Sequence, residues 1–324
     1  MQQRDPRDYQ ILFLSLFLIL GIGTRDWTLR ADLIGVAIAT CLLTQWLVVS
    51  LGGKFQVGFQ SPPFTPTVNS SCSDFGAIAK TEPVEVQSRR KSLFPVSFNF
   101  PQLTSLKSAA ITALSLSLLL RADSYTTMIL AGALAILSKF LLQVGGKHFF
   151  NPANFGIISV LVLTNDAWVS PGQWGDDGWY ALLFAGTGGL ILKRVGRWDT
   201  TAAFLGAYAA LEAIRNLWLG WTWDVFIHRL MSGSLLLFAL FMITDPRSIP
   251  NARIGRLVWA GCMAILTFIL RNQFFVATAV FWALFALSPL TVLVDTIWSS
   301  SRFSWHEVPG DVSGKSQSPI NPLV

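Results

Sequence analysis

Long runs of hydrocarbon side chains recur along the whole chain, more than a soluble domain of this length can bury. They centre on residues 10–23, 33–51, 104–120, 124–143, 154–165, 178–192, 200–217, 228–244, 254–270 and 274–297. A straight helix crossing a bilayer core about 30 Å thick takes roughly 20 apolar residues. The runs therefore predict an all-α polytopic membrane protein with about ten transmembrane helices, several of them too short to cross alone. Composition agrees, since the 324 residues are 52% hydrophobic and only 13% charged, which excludes an ordinary soluble domain.

Loop charge orients the spans. With the N-terminus on the cytoplasmic side, 18 of the 24 Lys and Arg fall in cytoplasmic loops, as the positive-inside bias requires. A multi-pass protein of a cell membrane, of the bacterial inner-membrane kind, with both termini cytoplasmic is the expectation. The net charge of +6 suits an anionic lipid surface and gives no reason to invoke nucleic acid. No small-x-small cleavage site follows the first run, so it reads as a span rather than a signal peptide. Cys41, Cys72 and Cys262 stand singly and predict neither a disulfide framework nor a metal site.

Four regions follow. Residues 1–51 hold two helices, and 52–103, rich in Pro, Ser and Thr, read as a mobile cytoplasmic insertion. Residues 104–298 form the membrane core, and 299–324 a disordered cytoplasmic tail. In the insertion, Arg89, Arg90 and Lys91 read either as a solvated charge run or as a lipid-headgroup contact.

Within the core, Arg121, Asp123 and Lys139 recur 76 residues on as Arg197, Asp199 and Arg215; His148 and Thr164 are spaced as His228 and Thr244 are, and Asp166 and Asp245 follow the two threonines. These matches predict a duplicated three-segment unit. An odd number of spans makes the copies face opposite ways, and such inverted repeats place ligand and ion sites where broken helices meet.

GGKHFFNPANFG, residues 145–156, is the polar gap that such a break requires. Pro152 lacks an N–H and restricts Asn151, so a helix starts there. About 11 residues to Thr164 give roughly 16 Å, half a bilayer. A half-helix with free N–H groups suits an anionic ligand, and candidate ligand residues are Lys147, His148, Asn151, Pro152, Asn154 and Gly156. Its counterpart is read as starting at His228, with Ser232 in its first turns, and ending at Thr244 and Asp245, where the last carbonyls favour a cation; Asp166 is the matching acid. The plainer alternative makes each cluster an interfacial loop.

Other charges have two readings. Lys139, Arg121 and Arg197 lie near predicted span ends and are expected to snorkel. Glu212 either pairs with Arg215 one turn on or serves a proton or ion relay. Trp218, Trp221 and Trp223 read as an interfacial aromatic belt. No nucleophile triad, paired acids, Gly-rich phosphate loop or metal-spaced His cluster suggests autonomous catalysis.

GGKHFFNPANFGIISVLVL, PGQWGDDGW at 171–179 and HRLMSGSLLLFALFMITDPRS at 228–248 resemble blocks of the RnfD/NqrB membrane subunits over residues 104–298. The PGQWG wording is most similar to the stand-alone UnbU-like members associated with enediyne gene clusters. The resemblance implies ten helices in an inverted repeat, electron transport coupled to ion translocation, and partner subunits. It also implies a Thr that carries FMN as a phosphoester, but Gly178 and Trp179 stand where the hydroxyl residues belong. Neither can form that ester and Thr187 lies eight residues beyond, so covalent FMN is not expected here. Three readings remain: an electron-transfer subunit with non-covalent flavin (FMN or riboflavin) or a partner's cofactor, a stand-alone transporter, and a structural or assembly subunit.

Overall fold

A computed structural model describes residues 5–25, 29–52, 100–170, 178–301 and 303. The PGQWGDD stretch, Cys72, Arg89, Arg90, Lys91, most of the 52–103 insertion and nearly all of the 299–324 tail lie outside them. The architecture is all-α, twelve helices among the described residues, with two minimal β ribbons.

The chain enters through α1 (Pro6–Leu20), started by Pro6 and by the Asp5 carboxylate, which accepts from the Arg7 amide at 3.0 Å. α2 (Ala31–Gly52) is 22 residues long, about 33 Å at 1.5 Å per residue and enough to cross a bilayer core. α3 (Phe100–Leu119) runs into a short strand, β1 (Leu120–Ala122), and α4 (Tyr125–Leu141) follows, capped by Ser124. A tight hairpin, β2 (Gln143–Val144) and β3 (Lys147–His148), turns through Gly145 and Gly146 at φ 57° and 79°, a backbone region that glycine enters without penalty.

Next comes α5 (Pro152–Leu163), 12 residues long. Its far end runs into β4 (Ala167–Val169), which pairs antiparallel with β1, Leu120 opposite Val169. These ribbons satisfy backbone groups where a helix is interrupted. They are too short to leave an alternating pattern, and the apolar runs gave no sign of them.

The second half holds α6 (Gly178–Val195), α7 (Trp198–Leu219), α8 (Trp223–Leu230), α9 (Gly233–Leu237), α10 (Arg253–Asn272), α11 (Ala279–Leu287) and α12 (Leu290–Ile297). α9 continues as one π turn, Phe238–Met242. α8 meets the α9 segment at 48° and α11 meets α12 at 51°. The run at 274–297, expected to be continuous, is thus broken at Ser288 and Pro289, because proline cannot donate to the helix ladder and crowds the preceding turn. By length and composition three helices could cross a membrane alone, or five if each bent pair is one span, and α4 and α5 are apolar but shorter.

Close helix contacts come from small residues, as in other apolar bundles. A side chain at Gly132 of α4 would meet Thr40 and Cys41 of α2 at 3.2–3.3 Å. Large rings fill the centre: Phe17 of α1 lies 4.4 Å from Phe184 of α6, and Phe238 lies 5.6 Å from Phe204 of α7 and 5.7 Å from Phe281 of α11.

Candidate functional site

The start of α5 and the end of the α9 segment face each other across a cavity of about 490 Å³. Asn151 joins them. Its side-chain oxygen accepts from the Asn154 amide at 3.1 Å and its amide group donates to the Met242 carbonyl at 3.1 Å. The Phe155 amide donates to the Asn151 carbonyl at 2.9 Å. Of the first-turn amides expected to be open, Pro152 has none and that of Asn154 is already bonded, so α5 offers the cavity the Asn151 side chain rather than a row of open N–H groups. Pro152 and Ala153 also line it.

His148, on β3, is buried, with Nε2 3.5 Å from the Asp245 carboxylate. Thr244 is buried beside them and donates to the Leu240 carbonyl at 3.2 Å. His148, Asn151, Thr244 and Asp245, more than 90 residues apart at the extremes, share one cavity. The sequence reading put these residues in two pseudo-equivalent sites, one at each helix break, whereas here they line a single cavity.

Two lining residues escaped the sequence reading. Lys139 does not snorkel: it is 7% exposed, and Nζ lies 3.2 Å from both the Ser108 carbonyl and hydroxyl. No carboxylate lies within ion-pair reach of it among the described residues. Gln45 of α2 is 5% exposed, donates to Ser105, and keeps its side-chain oxygen without a partner. Both residues line the cavity, and buried polar atoms are normally bonded. The available signal was a single amide inside the apolar run at 33–51 and a lysine inside the run at 124–143.

Other expected site residues serve elsewhere. Lys147 contacts Asp295 at 2.7 Å and the Ile249 carbonyl at 2.6 Å, pinning the hairpin to α12. Burial pulls its ammonium below the usual lysine range, with Asp295 opposing. Asn154 is fully buried behind the cavity, its amide bonded to the Phe281 carbonyl at 3.1 Å and its oxygen unpartnered. Gly156 is a packing position, with the Ala131 carbonyl 2.6 Å from where its Cβ would lie. His228 belongs to α8, before the bend, so the counterpart half-helix starts at Gly233, with Ser232 just before it. Neither His228 nor Ser232 lines the cavity.

Asp166 is separated from Asp245 by α5, whose 12 residues span about 18 Å. It accepts from the Ser124 and Thr127 hydroxyls at 2.6 and 2.7 Å, and these donors hold its carboxyl down at about 2. It anchors the start of α4 and takes no part in the Thr244 and Asp245 group. Trp179, in the first turn of α6, is 82% exposed, and the Thr187 hydroxyl is spent on the Leu183 carbonyl of its own helix.

Two further charge readings change. Arg121 is buried, bonded through one nitrogen to the Ser117 and Leu120 carbonyls. Glu212 pairs with Arg229 of α8 at 3.0 Å, not with Arg215, because α8 folds back beside α7 and brings its last turn to Glu212. No group of three or more His, Cys, Asp or Glu could hold a metal among the described residues.

Apolar helices, two of the pairs sharply bent, around a polar cavity define an all-α membrane protein. Residues 164–304 match the NQR2, RnfD, RnfE family. Among curated proteins, the D component of the ion-translocating oxidoreductase complex of Stutzerimonas stutzeri is 35% identical over 109 residues, 33% of this chain and 30% of that protein. The corresponding component from Actinobacillus pleuropneumoniae serotype 5b is 31% identical over 98 residues, 29% of this chain and 28% of that protein, and the one from Tolumonas auensis is 32% identical over 130 residues, 40% and 37%. The resemblance read from the sequence blocks is borne out. The chain matches less than two fifths of the length of these relatives, and the block at 145–163 precedes the segment matched by the family.

Proposed function

We propose that this chain is a membrane subunit of the RnfD/NqrB kind, acting in electron transport coupled to ion movement. We further propose that it crosses a cell membrane ten times with both termini cytoplasmic. Counting each bent pair as one crossing and α3, α4 and α5 as one each is compatible with that number. An inverted repeat fits the helix neighbours: α4 packs on α2 and α5, as α10 packs on α7 and α11. That correspondence favours units of five spans, again an odd number, in place of the three-segment unit, and it pairs α5 with α11 rather than with the α9 segment.

The cavity is proposed to hold a non-covalent flavin, FMN or riboflavin. The single observation that carries this is that the cavity is lined by both Gln45, whose side-chain oxygen has no partner, and the buried Lys139. A volume of about 490 Å³ lies in the range of small-ligand sites, and Phe140, Phe241 and Phe303 line it beside the polar groups, a mixture suited to a flat heteroaromatic ring. Bound flavin would supply one- and two-electron chemistry. Gln45 would accept from the ring, Asn151 would orient it, and Lys139 would favour its electron-rich reduced form. Gly178 and Trp179 support the absence of a covalent ester. The His148 and Asp245 pair, with Thr244 and the last carbonyls of the π turn, would form the ion-responsive side of the same cavity.

Purification from mild detergent is expected to give a flavin spectrum that is lost on denaturation, with an intact mass carrying no FMN. Lys139→Met should reduce flavin occupancy about tenfold, the value of one charge-assisted hydrogen bond. An added FMN mass would overturn the non-covalent reading, and a flavin-free protein active in liposome flux would favour a stand-alone transporter. Asp245→Asn should weaken the sodium dependence of flavin reduction or liposome flux by about tenfold on the same energetic grounds. Unchanged sodium dependence would remove Thr244 and Asp245 from the ion path.

A further inference from the structure

We propose that Arg215, Arg229 and Arg271, with Trp221, form a binding site for the phosphate of an anionic lipid headgroup. The site lies where the ends of α7 and α10 meet α8 and the turn before it, and it does not rest on the flavin reading. Arg229 donates to Glu212 at 3.0 Å and to the Asn272 side-chain oxygen at 2.9 Å. Arg271 donates to the Tyr208 hydroxyl at 3.2 Å, and that hydroxyl donates to Glu212 at 3.0 Å. Arg215 and Arg229 both stack on Trp221, their guanidinium carbons 4.7 and 5.3 Å from the ring centre.

Charge is unbalanced there. Three guanidinium groups stand against Glu212 and the Asp224 of the first turn of α8, a surplus of one positive charge, and Glu212 satisfies only Arg229 directly. One terminal nitrogen of Arg215 is buried with no acceptor at all. A buried charged donor without an acceptor is costly, and cation–π contact with Trp221 supplies only part of the loss. A tetrahedral oxyanion supplies what is missing, because arginine forks match phosphate oxygens through paired charge-assisted hydrogen bonds.

The surroundings favour a lipid as the source of that phosphate. Trp218 is 88% exposed, and Trp223, Phe274 and Phe275 also present their rings at this end of the bundle. Indole and phenyl rings exposed together mark the headgroup level of a bilayer. Arg215, Arg229 and Arg271 are also half of the six cations that loop charge assigns to the non-cytoplasmic face. Their clustering on one site is therefore not the general basic character of the chain. With a surplus of positive charge, a headgroup with net negative charge should be preferred to a zwitterionic one.

Native mass spectrometry of the purified protein, titrated separately with phosphatidylglycerol and phosphatidylcholine, tests the site. Phosphatidylglycerol should be retained about tenfold more strongly by the wild type than by Arg215→Gln, consistent with one lost charge-assisted contact. Arg215→Lys should recover part of the difference. If Arg215→Gln fails to fold, Arg271→Gln serves instead, since its guanidinium bonds to a tyrosine hydroxyl and leaves the Glu212–Arg229 pair intact. Equal retention by wild type and variant, or no preference between the two lipids, would overturn the proposal. Inorganic phosphate that displaces phosphatidylglycerol and alone raises the thermal midpoint would overturn the lipid source in favour of a free-anion site.

Discussion

Gly156→Leu is expected to abolish recovery of folded protein, and Gly156→Ala to destabilise it by about 1–3 kcal/mol, the usual cost of overpacking a tight contact. The ground is steric. An added Cβ would lie 2.6 Å from the Ala131 carbonyl oxygen and 2.9 Å from the Ala135 Cβ. One of those atoms is backbone and the other is fixed directly to it, so neither can swing aside. α5 would have to move away from α4, and Asn151, one turn earlier, would lose its bond to Met242 and open one wall of the cavity. Size-exclusion profiles of detergent extracts, followed by thermal unfolding, read both effects. A Gly156→Leu variant that elutes as a single peak at wild-type yield would show that the close approach of α4 and α5 does not matter.

Asp199→Asn should destabilise the protein by about 3–5 kcal/mol, because it leaves the buried Arg256 charge without its carboxylate, and Arg256→Met should cost less, because the exposed Arg253 stays 3.8 Å from Asp199. Asp199 and Arg256 are both buried, with the closest contact 2.6 Å and further bonds at 3.2 Å. The pair joins the first turns of α7 and α10, and its influence reaches the cavity through a continuous chain of bonds. Arg256 donates to the Asn251 carbonyl at 2.6 Å, the Asn251 amide donates to Asp295 at 2.7 Å, and Asp295 holds Lys147, next to His148. The double variant Asp199→Leu with Arg256→Met removes both charges and should recover most of the loss, as apolar replacement of a whole buried pair often does. Thermal unfolding of the two singles and the double closes the cycle. Single losses under about 1 kcal/mol would place the pair in the class of weak, solvent-screened bridges.

Much of the fold was legible because a membrane imposes one rule on backbone and side chain together: apolar length, with every amide bonded inside its own helix. The start of α5 was legible for the same local reason, since Asn151 and Pro152 determine where a helix begins whatever surrounds them. The start of the counterpart at Gly233 was misplaced because Ser232, Gly233 and Ser234 were read as small packing residues, whereas they mark the bend, with Ser232 at the start of the new helix. Lys139 and Glu212 were misread because a lone charge near a span end looks the same whether it reaches water or turns into a cavity. Neighbours distant in sequence, Ser108 for one and Arg229 for the other, made that choice.

The sequence by itself determined an all-α chain built for a bilayer, the break at Asn151 and Pro152, side chains without a hydroxyl at Gly178 and Trp179, and the family resemblance. Each depends on residue type and spacing along a short stretch. Tertiary structure alone decided that Asn151 also bonds the Met242 carbonyl, that His148 meets Asp245, and that Gln45 and Lys139 line the same cavity. Those are distances between separate helices, and they follow from how closely Gly132 and Gly156 let α2, α4 and α5 approach.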